Sequence, residues 1–93
     1  MKAIVRDTAY EDLERISAWI AQDRPIAAAR VIDRILESIQ RLSRFPLMGH
    51  AGRVAGTHEW VVPGLPYIVV YTVDERHDEL IVIGVFHGAQ NRL

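Results

Sequence analysis

The sequence predicts an α+β protein in which one twisted sheet carries a helical hairpin on one face. Two observations favour this fold. The first half of the chain holds two segments with apolar residues at helical spacing, and the second half holds three runs rich in β-branched and aromatic residues. A short strand precedes the helices, so the expected order is β-α-α-β-β-β, with an N-terminal strand and a three-stranded antiparallel meander. Ninety-three residues with 49% hydrophobic content suit one domain, 1–93.

The first strand is expected at Lys2–Arg6, and a helix follows it. Thr8 and Glu11 have the spacing of a capping box, in which each side chain binds the other residue's backbone amide. The helix should therefore begin at Thr8. One apolar stripe runs along it at spacings of four, three and four: Ala9, Leu13, Ile16 and Ile20.

The second helix is expected to begin near Pro25, which suits a first helical turn, with Asp23 as its cap. It should end before Pro46, because a residue that precedes proline avoids the helical conformation. Its apolar stripe again follows helical spacing: Ala28, Ile32, Ile35, Ile39 and Leu42. A linker of a few residues between two helices makes them an antiparallel hairpin.

Three strands are expected at His58–Val62, Tyr67–Val73 and Leu80–Phe86, joined by turns at Pro63-Gly64 and Asp74–Glu79. The last two runs have no polar face, which is typical of central strands that are buried on both sides or nearly so. The predicted core of these strands comprises Ile68, Val70, Ile81, Ile83 and Val85.

The composition excludes several classes of protein. Cysteine is absent, which rules out disulfides and thiolate metal sites, and the four histidines lack a metal-binding spacing. We therefore expect no metal and no cofactor. No apolar run approaches the roughly 20 residues that span a bilayer, so we expect a soluble, cytoplasmic protein without a membrane partner. The net charge of −1 is unlike the basic excess of a dedicated nucleic-acid binder.

The glycine-rich stretch FPLMGHAGRVAGTHEWVV, residues 45–62, fits no nucleotide-binding loop. Its glycine spacing matches neither phosphate-loop motif, and it follows a helix where a phosphate site needs a helix to follow the loop. The glycines are expected to allow positive φ after the helix end and before a hairpin. The stretch then stops the helix and presents Arg53 on the first strand of a hairpin.

Four residues could act together on a phosphate, one as a cation and three as acid–base groups. Arg53 could stabilise the charged phosphate, and Glu59, Tyr71 and His87 could exchange protons. Structural interpretations stay open for each of the three: Tyr71 as a core residue with a locally bonded hydroxyl, Glu59 as a partner of Arg53, and His87 as a strand-end residue.

Seven short pieces occur in order along nearly the whole chain. They are DLERI, D-x-P-x-A-A, P-x-x-G-x-x-G-R, G-T-x-E, P-Y-x-x-x-Y and H-G-A, together with an acidic first helix. In these seven pieces the chain resembles the RelE/ParE superfamily of toxins from bacterial type II toxin–antitoxin systems. The resemblance implies the fold above and a cognate antitoxin, whose disordered segment folds along the toxin. The chain would then contact operator DNA only through the antitoxin.

The resemblance implies two alternative activities. ParE-like members poison DNA gyrase, whereas RelE-like members cleave mRNA on the ribosome without a metal, so whether the chain is an enzyme stays open. We expect gyrase, because the chain has one lysine, Gln90 where arginine is frequent, and His58 in G-T-x-E. If the chain is a ribonuclease, its catalytic residues would be Arg53, Glu59, Tyr71 and His87. A third alternative is a non-toxic binding module. The expected contacts with target or antitoxin are Trp19, Arg53, His58, Trp60, His87, Gln90 and Arg92.

Overall fold

The computed structural model describes residues 1–89 and confirms the predicted order of helices and strands. Two helices pack on one face of a five-stranded sheet whose strand order is β1-β5-β4-β3-β2. Strand β1 runs parallel to β5, and the other neighbours are antiparallel. A two-residue strand, β2, was not predicted. The elements are β1 Lys2–Val5, α1 Asp7–Ala21, α2 Pro25–Arg44, β2 His50–Ala51, β3 His58–Val61, β4 Tyr67–Asp74 and β5 Glu79–His87.

Neither helix begins with the predicted side-chain cap. The cap position of α1 is Arg6, which makes no side-chain bond to the helix, so the capping box was wrong. Thr8 instead donates its hydroxyl to the backbone oxygen of Ile83, at 2.9 Å. In α2 the cap position is Arg24 rather than Asp23, with Pro25 in the first turn as expected. The end of α2 before Pro46 is also confirmed.

A bulge interrupts the pairing of β4 with β5. Val70 pairs with Gly84 and Tyr71 pairs with Val82, so Ile83 is the extra residue on β5. Pairing with β1 stops at Val82, which leaves the next part of β5 without a neighbouring strand on the side opposite β4. Helix α1 covers that part, because a carboxylate oxygen of Asp12 accepts the Val85 amide at 2.9 Å. Thr8 and Asp12 thus bind the edge of β5 with polar side chains.

The sheet has two different faces. The covered face packs against the helices, and its most buried side chains are at most 7% exposed: Tyr67, Val69, Tyr71, Leu80, Val82 and Val85. Successive side chains on a strand point to opposite faces, so the alternate residues form an open face that carries no helix. Val70 and Val85 are buried as predicted. The assignment of Ile68, Ile81 and Ile83 to the core was wrong, because they stand on the open face and are only half-buried.

The glycines of the 45–62 stretch have two different roles. Gly56 has a φ of +84°, as expected for a turn, and just beyond the stretch Gly64 has a φ of +76° in the predicted Pro63-Gly64 turn. Gly49 has no positive φ; a Cβ there would lie 2.5 Å from the Tyr71 hydroxyl oxygen. Close packing against a buried tyrosine, rather than backbone freedom, therefore requires glycine at position 49.

Candidate functional site

Arg53 stands on an exposed loop whose backbone is held at several points. The amide of Gly52 donates to the Thr57 oxygen at 2.8 Å, and the Thr57 hydroxyl donates to the Val54 oxygen at 2.6 Å. The amide of Arg53 itself donates to the Glu59 carboxylate at 3.2 Å. Arg53 is exposed and its backbone is firmly held, as expected, but its predicted place on a strand was wrong, because it lies in the loop between β2 and β3.

Glu59 places a carboxylate beside this loop. It lies on the open face, opposite Val70 on β4, and is only 6% exposed. Together with Arg53 it lines a small hollow whose other wall is formed by Ile83 and Phe86 of β5. A cation and a carboxylate therefore share one hollow with apolar walls, which is an arrangement that could clamp or protonate a ligand.

Tyr71 is a structural residue in this fold. It is fully buried on the covered face, its hydroxyl donates to the Pro46 oxygen at 2.7 Å, and the Gly49 amide donates to that hydroxyl at 3.1 Å. Burial raises the pKa of Tyr71 above its ordinary value, and the Gly49 hydrogen bond offsets part of this rise. The ring of His58 stacks on it with centroids 5.2 Å apart. The Tyr71 hydroxyl thus anchors the chain that leaves α2.

His87 lies in a second hollow, between α1 and the end of β5. Its ring meets Tyr67 edge to face with centroids 5.5 Å apart, and its Nδ1 accepts the Ala89 amide at 3.0 Å. A neutral ring bonded in this way carries its proton on Nε2. Trp19 and Arg15 of α1 form the other wall, and Trp19 is 73% exposed. Two of the predicted contact residues, Trp19 and His87, therefore meet in one hollow.

Trp60 faces α2 and not the loop of Arg53. Its indole lines a hollow with Ser38 and Arg41 of α2 and with the turn at Pro63. The indole Nε1 is buried and has no hydrogen-bond acceptor among residues 1–89. Arg34 closes one end of this hollow by donating from its guanidinium to the Pro63 oxygen.

The structure brings together only part of the predicted ribonuclease set. Arg53 and Glu59 share the open-face hollow, whereas Tyr71 and His87 stand on the covered face, at different places along it. The sheet thus separates the two pairs. Gln90 and Arg92 lie outside the described residues. Among the residues that the structure does describe, no three side chains of the metal-binding types form a group that could hold an ion. No described helix is long and apolar enough to cross a membrane.

One charged feature was missed from the sequence. Four exposed arginines stand on one side of α2, since spacings of three, four and seven residues return to the same side of a helix. The spacing itself could have indicated it. The members of this arginine stripe are Arg30, Arg34, Arg41 and Arg44.

Comparison with known protein families gives one match that covers nearly the whole chain. Residues 3–92 match the family model described as ParE toxin of type II toxin-antitoxin system, parDE. A curated relative from Sinorhizobium fredii, described as "Putative toxin Y4kP", is 35% identical over 82 residues. That alignment covers 88% of this chain and 82% of the relative.

Solved structures share the fold. A chain from the chromosomal ParDE toxin–antitoxin system of P. aeruginosa matches with a TM-score of 0.83 and 18% identity, over 94% of this chain and 95% of that one. A chain of the RelBE2 toxin–antitoxin complex from Mycobacterium tuberculosis matches with a TM-score of 0.69 and 23% identity, over 92% and 95%. The YoeB/ParE toxin from Agrobacterium tumefaciens gives 0.65 and 24%, over 94% and 98%.

Proposed function

Because the chain belongs to the ParE toxin family of type II toxin–antitoxin systems, we propose that it inhibits growth by poisoning DNA gyrase in the cytoplasm. A cognate antitoxin holds it inactive, and the chain contacts operator DNA only through that antitoxin. The observation that carries the choice of target is the chemistry of the open face, where aliphatic side chains stand in place of cations.

The open face is poorly suited to RNA. On β4 it presents Ile68, Val70 and Thr72, and on β5 it presents Ile81, Ile83 and Phe86. Neither strand supplies a lysine or arginine there. Affinity for RNA comes largely from phosphate contacts with cations, and Arg53 stands at the margin of this surface. Half-buried aliphatic side chains that no helix covers, with Val61 50% exposed beside them, are better suited to contact with another protein than with a phosphate backbone.

The geometry also limits acid–base catalysis. Cleavage of RNA without a metal needs a base, an acid and a cation within hydrogen-bond reach of one phosphate. The Tyr71 hydroxyl is bonded to Pro46 and Gly49 on the covered face, and His87 lies beside Trp19. These two side chains lie across the sheet from Arg53, so they do not complete a site with it.

A second candidate function, ribosome-dependent cleavage of mRNA, is favoured by one observation. Arg53 and the largely buried Glu59 line the same hollow, and a carboxylate beside a cation supplies two of the three groups that such cleavage needs. Under this alternative Arg53 would stabilise the phosphate and Glu59 would move the proton.

Two assays with the purified chain separate the candidates. We expect inhibition of gyrase supercoiling and intact mRNA on programmed ribosomes. Substituting an open-face residue, Ile83→Asp, should weaken gyrase inhibition at least about tenfold, because a charge would be buried against the target. Tyr10→Asp changes an exposed residue of α1 in the same way and should leave inhibition within about twofold.

Other results would change the proposed target. Cleavage of mRNA at codon positions, abolished by Arg53→Ala and Glu59→Gln, would establish the ribonuclease and refute gyrase poisoning. A folded chain that shows neither effect, and whose expression without antitoxin leaves growth unimpeded, would be a non-toxic binding module.

A further inference from the structure

The outer side of α2 carries charges whose sign changes along the helix. Asp33 and Glu37 come first, and Arg41 and Arg44 follow toward the end of the helix. Successive members lie four, four and three residues apart, so all four return to the same side of the helix. Each of them is exposed, and together they line one hollow on the surface. We call these four residues the α2 charge row.

The charges of the α2 charge row are not paired with one another. Glu37 and Arg41 are four residues apart, in the order that favours an ion pair along a helix. No ion pair forms between them, and among residues 1–89 none of the four side chains is in an ion pair with any other group. Both signs of charge are therefore available to a partner that carries the opposite pattern.

A second copy of α2 carries that opposite pattern when it lies antiparallel to the first. Glu37 then faces Arg41 of the copy, and Asp33 faces Arg44 of the copy. Both pairs are centred within about half a residue of Ile39, so the paired charges lie at the same height to within about 1 Å at a helical rise of about 1.5 Å per residue. A two-fold axis repeats each pair, which makes the surface complementary to itself.

The uncharged residues of the same hollow fit this arrangement. A side chain near a two-fold axis meets its own copy, and a charge there would be repelled. Gln40 is one residue from the centre and is neutral, and its amide can both donate and accept a hydrogen bond. Leu36 is 39% exposed and Phe45 is 61% exposed, and both line the hollow. Pairing would remove part of this apolar surface from water.

We propose that the chain forms a two-fold symmetric dimer through the outer sides of α2, with the two helices antiparallel. The helices of each copy lie on the covered side of its sheet, so both open faces point outward and stay accessible. A phosphate backbone fits the α2 charge row less well, because Asp33 and Glu37 would repel it. The inference goes beyond the proposed function and does not depend on the target being gyrase.

The test measures the mass of the purified full chain by sedimentation velocity over a series of concentrations. The average mass should rise from that of one chain toward that of two chains as the concentration approaches about 100 μM, because an interface of one helix from each copy is small and its dimer is weak. The dissociation constant should increase with salt, since exposed ion pairs are screened.

Charge reversal tests the pairing itself. A basic variant, Asp33→Arg with Glu37→Arg, and an acidic variant, Arg41→Glu with Arg44→Glu, would each bring like charges together. Each should dimerise at least about 30-fold more weakly than the parent. An equal mixture of the two variants should form a mixed dimer, because every charge then faces its opposite. A swapped variant with all four substitutions keeps the net charge of the parent and should dimerise within about fivefold of it.

The matched control is Glu11→Arg with Glu14→Arg, which makes the charge change of the basic variant on the exposed side of α1. Its dimerisation should stay within about twofold of the parent, and equal unfolding midpoints show that each variant is folded. A parent that stays monomeric over the whole series would overturn the proposal. Basic and acidic variants that dimerise as well as the parent, or that fail to associate when mixed, would also overturn it.

Other occupants of this surface give a different result. A monomeric parent that binds duplex DNA, with binding lost in the acidic variant, would overturn the dimer in favour of nucleic acid. A monomeric parent that needs the α2 charge row only to bind the antitoxin of the adjacent reading frame would overturn it in favour of that protein.

Discussion

The covered and open faces of the sheet are built from the same residue types, but they differ in burial. Leu80 and Val82 face the helices and are fully buried, while Ile81 and Ile83, the residues that alternate with them, stand half-exposed on the other side. What separates the two sets is the position of the helical hairpin and not their hydrophobicity. An apolar strand residue here can therefore belong either to the core or to the open face, and its burial decides which.

The largest change in the free energy of unfolding is expected when two neighbours on β5 are substituted in turn. Leu80→Ala should reduce the free energy of unfolding by about 2–5 kcal/mol, because a fully buried side chain leaves a cavity. Ile81→Ala removes a side chain of the same size from the open face and should cost about 1 kcal/mol. Urea denaturation measures both. Equal losses would contradict the distinction between the faces.

The next largest loss of stability is expected when the Tyr71 hydroxyl is removed from the covered face. Tyr71→Phe leaves the Gly49 amide and the Pro46 oxygen without their partner, and should reduce stability by about 1–3 kcal/mol. Tyr10→Phe, at a residue 53% exposed, should change stability by less than about 0.5 kcal/mol. A Tyr71→Phe protein as stable as its parent would show that the loop is held by other contacts.

The same residue gives the folded protein a specific pH dependence. Because burial raises the pKa of Tyr71 above 10.0, the unfolded chain loses this proton at lower pH than the folded chain. Its contribution is fully present below pH 10.0 and is lost as the pH rises through the folded-state pKa. The unfolding midpoint of the parent should decrease as the pH rises above 10.0. Tyr71→Phe should show a smaller decrease.

A smaller effect is expected at the edge of β5 that α1 covers. Asp12→Ala removes the acceptor of the Val85 amide and should cost about 1 kcal/mol, with faster hydrogen exchange at that amide. Asp12→Asn keeps an acceptor oxygen and should retain most of the protection. If exchange at Val85 is unchanged in Asp12→Ala, the helix does not hold this edge.

The smallest effect lies at the β4–β5 turn, away from both faces. The pKa of Asp74 is lowered by a hydrogen bond from His77, whose Nδ1 lies 2.8 Å away. His77→Ala should raise the pKa of Asp74 toward its ordinary value, as measured by NMR titration, without a measurable change in the unfolding midpoint. Arg76→Ala leaves the His77 side chain in place and should leave the pKa of Asp74 low.

Much of the fold could be predicted from the sequence. Helical spacing located both helices, and Pro25 and Pro46 marked the limits of the second. The face of each strand residue could not be predicted, because β4 and β5 are apolar on both sides and the bulge at Ile83 changes the alternation. The first helix start was misjudged for a related reason: Thr8 binds a distant strand in place of its own helix, and local patterns carry no information about such a contact.

The candidate site was predicted less completely than the fold. The exposed Arg53 and the locally bonded Tyr71 hydroxyl followed from residue type and neighbours. The separation of Arg53 from His87 across the sheet depends on strand register, which the sequence does not specify when both faces are apolar. The arginine stripe was visible as a spacing, but its lack of carboxylate partners among the described residues became clear only in three dimensions.

The parallel pairing of β1 with β5 has a consequence for synthesis. Residues Lys2–Val5 find their partners at Glu79–Val82, almost the full described length of the chain away. During translation the first strand therefore has no neighbour until the last one emerges from the ribosome, and a contact so distant in sequence forms slowly. The helical hairpin can form early, whereas the sheet that supports the open face is completed only after β5 has emerged.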